Sequence, residues 1–595
     1  MPVSLQTRDA RMLATACVLS FLVVTQATAA APESTLPSRI DALIEARLKD
    51  FSTHASPICT DAEFLRRVTL DLAASIPTAA KTRAFLKDTA PVQEKRSRVV
   101  SELLASPQHA TRMQYLLDWL LMESRSSENV AKAQWQKYLR ASAVANKPWD
   151  QLTREILADD GSDAKTRARA RFYLDREFDL TVVTRDVSRI FLGVDLECAQ
   201  CHDHPAVTAY KQQHYHGIKA FLDRSFLFTD SKSKQKSLGE KAEGDVTFTS
   251  VFDQTKGKTA PRILELPELV DPKGTLKQYI TKPAKNVRSV PKYSRRRRLG
   301  EAMTVAENRD FRLNIANRLW AVMMGRGLVE PLDLRHTDNP PSHPKLLSLL
   351  GDALHQHKYD MRWFLGQLAH TRTYQRSSVT RKNSATVANR HYAVGLLKPL
   401  GPEQYAWATM EATGLLEKAR ADARTSLAAA AKKATAKKDG KKDGKKDGKK
   451  KDPKKAPKAK SPGSPIKPPT VADIEAAVRK AVAPHVKTFV TQFAAQGGQK
   501  TTFSATAPQA LFLTNGALLR EWLKPTGSNL LARVSKLDDS QAVAEELYIR
   551  ILNRLPIESE RKEVAEYMKF PGKRVDVLSE LAWALLLSAE FRFNH

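Results

Sequence analysis

Apolar residues recur three and four positions apart along most of this chain, as in Phe64–Leu72, Thr78–Lys87, Arg98–Leu104, Phe311–Met324 and Lys345–His355. That period is the mark of amphipathic helices, each with one face to bury, and Thr78 after Pro77 has the form of a helix start. One stretch departs from it. Asp245–Phe252 partly alternates, with Val246, Phe248 and Val251, before Gly257 and Pro261, and is read as a small β excursion. The expected fold class is therefore mostly α. Two helical domains, 40–225 and 291–595, flank a short β-containing insertion at 226–290. The length of 595 residues allows several units, at about 150 residues each. The 42% apolar content suffices for real cores.

One segment cannot build a core. Lys432–Lys460 holds fifteen lysines against four aspartates, and so carries +11 of the chain's +31. It repeats Lys-Lys-Asp-Gly and then turns Pro/Lys-rich, so 427–469 is expected to be a disordered Lys-rich insert. A spacer or a polycation arm for anionic polysaccharide or an envelope surface both fit such a run.

The N-terminus has the form of a signal peptide over 1–29. Arg8 and Arg11 precede the apolar stretch Met12–Val24, and Ala27-Thr28-Ala29 fits a cleavage site. An uncleaved anchor is the alternative. The expected location is periplasmic or secreted. Three cysteines remain beyond this segment, Cys59, Cys198 and Cys201, too few for a disulfide scaffold.

Two of those three fall in Cys198-Ala199-Gln200-Cys201-His202, the spacing of a c-type haem attachment site. Two thiols must reach two vinyl groups on one macrocycle, and the following His is then placed as the proximal ligand of the iron. Cys198, Cys201 and His202 are thus the candidate haem c residues. Two alternatives stay open at this point. Cys198, Cys201, His202 and a further His, with His204, His214 and His216 available, have the makings of a zinc or other metal centre. The two thiols alone suit a disulfide or thiol redox pair. For a sixth iron ligand, His214, His216, Met303, Met323 and Met324 are all candidates.

The stretch Phe64–Asp71, the run Phe191-Leu192-Gly193-Val194 leading into Cys-Ala-Gln-Cys-His-Asp-His-Pro, and Phe221 resemble the cytochrome-like domain of large planctomycete secreted families. Asn317-Arg318-Leu319-Trp320, Gly325–Pro331, Asn339–Pro344, Tyr374–Ser378, Pro508–Leu511 and Phe593-Asn594-His595 resemble its usual partner, the planctomycete secreted domain. The likeness covers nearly the whole chain except the first 29 residues and the Lys-rich insert. It implies a helical fold and export, and it carries over Cys198, Cys201, His202 and His204 as site candidates. The family's function is unknown, and its cytochrome label rests on the same pentapeptide. Many relatives begin with a separate cytochrome c domain, which is absent here.

Weaker signals accompany these. Phe64–Val68, Ile76-Pro77 and Leu103–Pro107 echo Leu547–Arg550, Leu555-Pro556 and Leu586–Ala589, as two copies of one helical unit would. Ser342 is placed to cap a helix starting near Pro344, while His336 and His343 are candidates for a pocket facing the motif. Trp320 is expected in a core, Arg318 beside a buried carboxylate, and His595 in a frayed end. No phosphate loop, no Gly-x-Ser-x-Gly elbow and no His-Glu-x-x-His is present, and no nucleic-acid partner is expected. The sequence thus points first to an exported cell-envelope haem protein in electron transfer or haem-based redox chemistry, with a redox partner protein. A structural or binding protein with a Cys/His metal or disulfide site, and a metal- or haem-dependent enzyme, are the alternatives.

Overall fold

The computed structural model describes residues 34–50, 55–204, 207–252, 254–380, 387–442, 468–493 and 506–595. The expected signal peptide lies outside these residues. Leu36–His595 form one compact unit, which is mostly helical with short antiparallel strand pairs. Among the described residues no helix is long and apolar enough to cross a membrane.

Each stretch of helical period lies in a helix: Asp61–Ala73, Ala79–Lys87, Val92–Ala105, Arg309–Met324 and Pro344–Gln356. Thr78 caps the second of these by accepting Lys81 N–H at 3.2 Å. Ser342 does not cap the last. His343 is the residue before Pro344, no side chain caps that helix, and the Ser342 hydroxyl sits 3.0 Å from His343 Nδ1. Among the described residues eight short strands pair in antiparallel twos. They are β1 Ser225–Thr229 with β2 Lys236–Glu240, β3 Val246–Thr249 with β4 Lys256–Thr259, β5 Tyr279–Thr281 with β6 Val290–Pro291, and β7 Lys398–Pro399 with β8 Phe593–Asn594. The excursion read at Asp245–Phe252 is β3, in one of three hairpins between the helical regions.

Apolar burial forms two cores. The first draws on residues from Ile40 to Ala393. The second draws on Tyr405 to Phe591, with Leu70 and Ile76. The helix Asp61–Ala73 joins them. Every residue from Phe64 to Ala73 is buried, the charged ones included, so each buried charge needs a partner. Asp71 receives Lys398 Nζ at 2.7 and 2.6 Å, Tyr374 OH at 2.8 Å and Asn594 Nδ2 at 2.9 Å. Arg66 donates to Asn553 Oδ1 at 2.8 Å and to the carbonyls of Ile551 and Phe591 at 3.2 and 2.9 Å. The last residues are consequently held rather than frayed: β8 pairs with β7, and Asn594 is buried.

The internal echo is matched in structure. Asp61–Ala73 ends on Ala74 at φ 60°, and Ser540–Ile551 is followed by Asn553 at φ 61°; each left-handed residue stands three before a proline. A short helix follows, Ala79–Lys87 or Glu558–Tyr567, then a longer one, Val92–Ala105 or Arg574–Leu587. Ser106 and Ser588 cap the next helix, accepting from His109 N and Phe591 N at 3.2 Å. The two turns also touch, since Asn553 Nδ2 donates to Pro77 O at 3.1 Å.

The expected disorder from 427 to 469 is not met over its first residues. The helix Leu415–Lys442 runs on into the segment expected to be disordered from 427. Ala428–Ala431 extend it, because alanine is the best helix former. Residues 443–467 lie outside the described ones.

Candidate functional site

The helix Leu180–Val187 widens into a π turn at Ser188–Leu192 and stops at Gly193. Gly193 has φ +70°, and a Cβ there would meet Asn314 Oδ1 at 2.7 Å, so both backbone and space favour glycine. The chain then runs beside 333–335: Asp195 N donates to Asp333 O at 2.9 Å and Arg335 N to Gly193 O at 3.1 Å. Arg185 holds Asp195 at 2.8 Å and Glu197 at 2.9 Å.

Cys198–Gln200 make one 3₁₀ turn. Ala199 is fully buried and plugs the turn into the first core. The thiols of Cys198 and Cys201 face outward and are not joined to each other, while Cys59 is buried elsewhere. The turn is sewn down through its backbone. Gln200 O accepts His216 Nε2 at 3.1 Å and Gln212 Nε2 at 3.3 Å, and Cys201 O accepts Val251 N at 3.0 Å. The helix Gln212–Leu222 and the β3–β4 hairpin therefore grip the motif from two sides.

His202 is half-buried, with Nδ1 2.6 Å from Asp203 O. A carbonyl only accepts, so Nδ1 carries the proton and Nε2 keeps its lone pair. The ring of Phe252, at the hairpin tip and 72% exposed, lies 4.2 Å from the His202 ring at an angle of 34°. Asp203 also receives Gln212 N at 2.8 Å and Lys211 Nζ at 3.1 Å. Burial pushes its carboxyl up, but these two donors outweigh that and hold it below the usual range.

His204 is turned to another task. Its Nδ1 accepts Val207 N–H at 3.0 Å, its backbone N donates to Tyr210 O at 2.9 Å, and its ring stands edge-on to Tyr210 at 5.8 Å. Tyr210 meets His336 at 5.6 Å and donates to Arg335 O at 3.1 Å. His336 thus reaches the motif region through Tyr210, whereas His343 packs against His391 and Tyr392.

The other candidate ligands have structural work. His216 stacks flat on Phe248 at 4.5 Å, and burial lowers it to about 4 against the pull of Gln200 O. His214 Nδ1 accepts Lys211 N–H at 3.2 Å, with Glu265 2.8 Å from Nε2. Burial lowers His214 too, although Glu265 opposes it. Met303, Met323 and Met324 are buried in the first core. Trp320 is fully buried, as expected. Arg318, also buried, donates to Asn314 Oδ1 at 3.0 Å and Arg189 O at 2.8 Å. Among the described residues, no three His, Cys, Asp or Glu side chains gather as a group able to hold a metal ion. Phe252 and Gln212 are the contributors that the sequence does not single out. The only hint of Phe252 was an aromatic at the end of an alternating run.

The set fits a covalently held haem in its chemistry: two outward thiols at the right spacing, then an imidazole with Nδ1–H on a carbonyl and Nε2 left to ligate.

Residues 39–226 match the family model PSCyt2, protein of unknown function (DUF1549). Residues 295–568 match PSD1, protein of unknown function (DUF1553). No curated protein and no solved structure matches the chain. The motif loop falls within the first match, and the chain therefore carries two domains of unknown function, DUF1549 followed by DUF1553.

Proposed function

We propose that this chain is an exported haem protein of the bacterial cell envelope that passes electrons to a redox partner protein. The observation that supports it best is the His202 ring, with Nδ1–H on Asp203 O and Nε2 unspent, directly after two outward-facing thiols. Cys198 and Cys201 would hold the macrocycle through thioethers, and His202 Nε2 would ligate the iron. Haem bound there would supply a one-electron iron couple.

The chain's own residues orient that ligand. The Asp203 carbonyl fixes the tautomer and ring plane of His202, which raises its basicity as a ligand. Gln212 N–H and Lys211 hold Asp203 in turn. Phe252 covers one side of the imidazole and limits water there. Export rests on Arg8, Arg11 and the apolar run Met12–Val24. A zinc centre on Cys198, Cys201, His202 and His204 has less support. With Nδ1 accepting from Val207, the neutral His204 ring carries its proton on Nε2 and has no free lone pair for a metal.

Protein matured where c-type haem is attached should show a c-type visible spectrum. His202→Ala should abolish the native ligation bands, and His204→Ala should keep them with a modest shift. Loss of the cofactor in His204→Ala but not in His202→Ala would reverse these roles.

A further inference from the structure

The insertion between the two family matches, beyond residue 226 and before 295, carries a hairpin unlike the rest of the surface. From Pro272 to Lys292 the chain has five lysines, Arg288 and no acidic residue. Arg288 is used within the fold, 3.0 Å from Asp160 and from Leu238 O. Among the described residues no carboxylate lies within 4.0 Å of Lys273, Lys282, Lys285 or Lys292, and Lys277 has only Glu243 at 3.9 Å. Four of the five lysines thus present their charge outward without an ion pair among the described residues.

The same segment exposes apolar side chains between those lysines: Leu276 at 56%, Ile280 at 73% and Val287 at 41%. The root is firmly set. Tyr279 OH accepts Ala242 N at 3.0 Å, Lys292 N donates to Gln278 O at 3.0 Å, and Ser289 Oγ donates to Glu240 O at 3.0 Å. Tyr279 therefore faces the body, and strand alternation turns Ile280 away from it. Residues 282–287, the turn between β5 and β6, are exposed throughout.

We propose that the β5–β6 hairpin docks on the anionic face of a lipid bilayer. The lysines would meet lipid phosphates, and Leu276 and Ile280 would enter the boundary between headgroups and acyl chains. Charge alone would serve any polyanion. Exposed branched aliphatics interleaved with unpaired lysines favour a surface that is both anionic and apolar beneath. This surface is separate from the Cys198 loop and does not depend on haem.

The test is flotation of the full-length protein with vesicles of phosphatidylcholine alone or mixed with phosphatidylglycerol. The lysine run at 432–460 is common to every chain compared and cancels in the ratio of affinities. Each lysine near an anionic bilayer counts for about fivefold in affinity, so Lys282→Gln with Lys285→Gln should weaken binding to the anionic vesicles about 25-fold. Ile280→Asp should weaken it further at raised salt, where charge is screened. All three positions are exposed, so melting temperatures should match the parent. Equal binding by parent and variants would overturn the proposal and leave the lysine run as the binder. Sensitivity to the lysines but not to Ile280→Asp, with equal binding to a soluble polyuronate, would overturn it in favour of a polysaccharide.

Discussion

The Cys198–His204 loop and the buried junction around Asp71 are both rich in polar chemistry, yet they are built in opposite ways. At the junction the side chains partner one another: Asp71 alone receives Lys398, Tyr374 and Asn594. In the loop the backbone is held and the reactive side chains are spared. Gln200 O and Cys201 O take the bonds, while both thiols face outward and His202 Nε2 keeps its lone pair. A saturated cluster holds a fold together. A fixed backbone with unspent side chains is what a cofactor site requires.

The largest effect should come from breaking the junction. Asp71→Ala leaves the Lys398 ammonium without its carboxylate in a site where burial already lowers its pKa. Removing one partner of a buried pair costs about 3–5 kcal/mol, which a shift of the denaturation midpoint in urea would report. A loss below about 1 kcal/mol would mean the junction is no more than a surface pair.

Acid should act next. His109 is almost fully buried, its Nδ1–H bonds Leu72 O at 2.9 Å, and burial outweighs that bond to lower it to about 4. An unfolded histidine titrates near 6.5, so below that pH the unfolded chain takes a proton the folded one refuses. Stability is therefore present above about 6.5 and lost as pH falls toward 4. Between pH 7 and 5 the loss from this group is about 2 kcal/mol. Denaturation at both pH values should show His109→Gln with a shallower decline than the parent; an unchanged decline would remove His109 from the acid response.

The smallest effect on stability should fall in the loop. Phe252→Ala removes a side chain that is mostly outside, so the midpoint should move by less than about 0.5 kcal/mol. The same change should shift the spectrum of bound haem, because the ring lies on His202. A large stability loss with no spectral change would invert the contrast between the regions.

How much of this was legible in the sequence follows from the same contrast. Apolar spacing locates the helices because it reports which face is buried, and Cys-x-x-Cys-His is legible because its spacing is chemistry within one turn. The junction was not, since a buried Arg66 or Asp71 reads like any exposed charge until residues 374, 398, 553 and 594 come to meet it. His214 and His216 read as ligand candidates, but a helix N-terminus and Phe248 claim them. Phe252 needed the β3–β4 pairing to bring it back over His202. The first turns of the Lys-rich insert fold as helix because local alanine content outweighs the charge run that follows.

The central claim is covalent haem at Cys198 and Cys201, and the mass of the denatured, export-matured chain tests it most directly. One haem added to the parent, retained under denaturation, and none on the Cys198→Ala/Cys201→Ala double variant is the expected result. An unmodified parent mass, in cells that attach haem to another c-type protein, would contradict it.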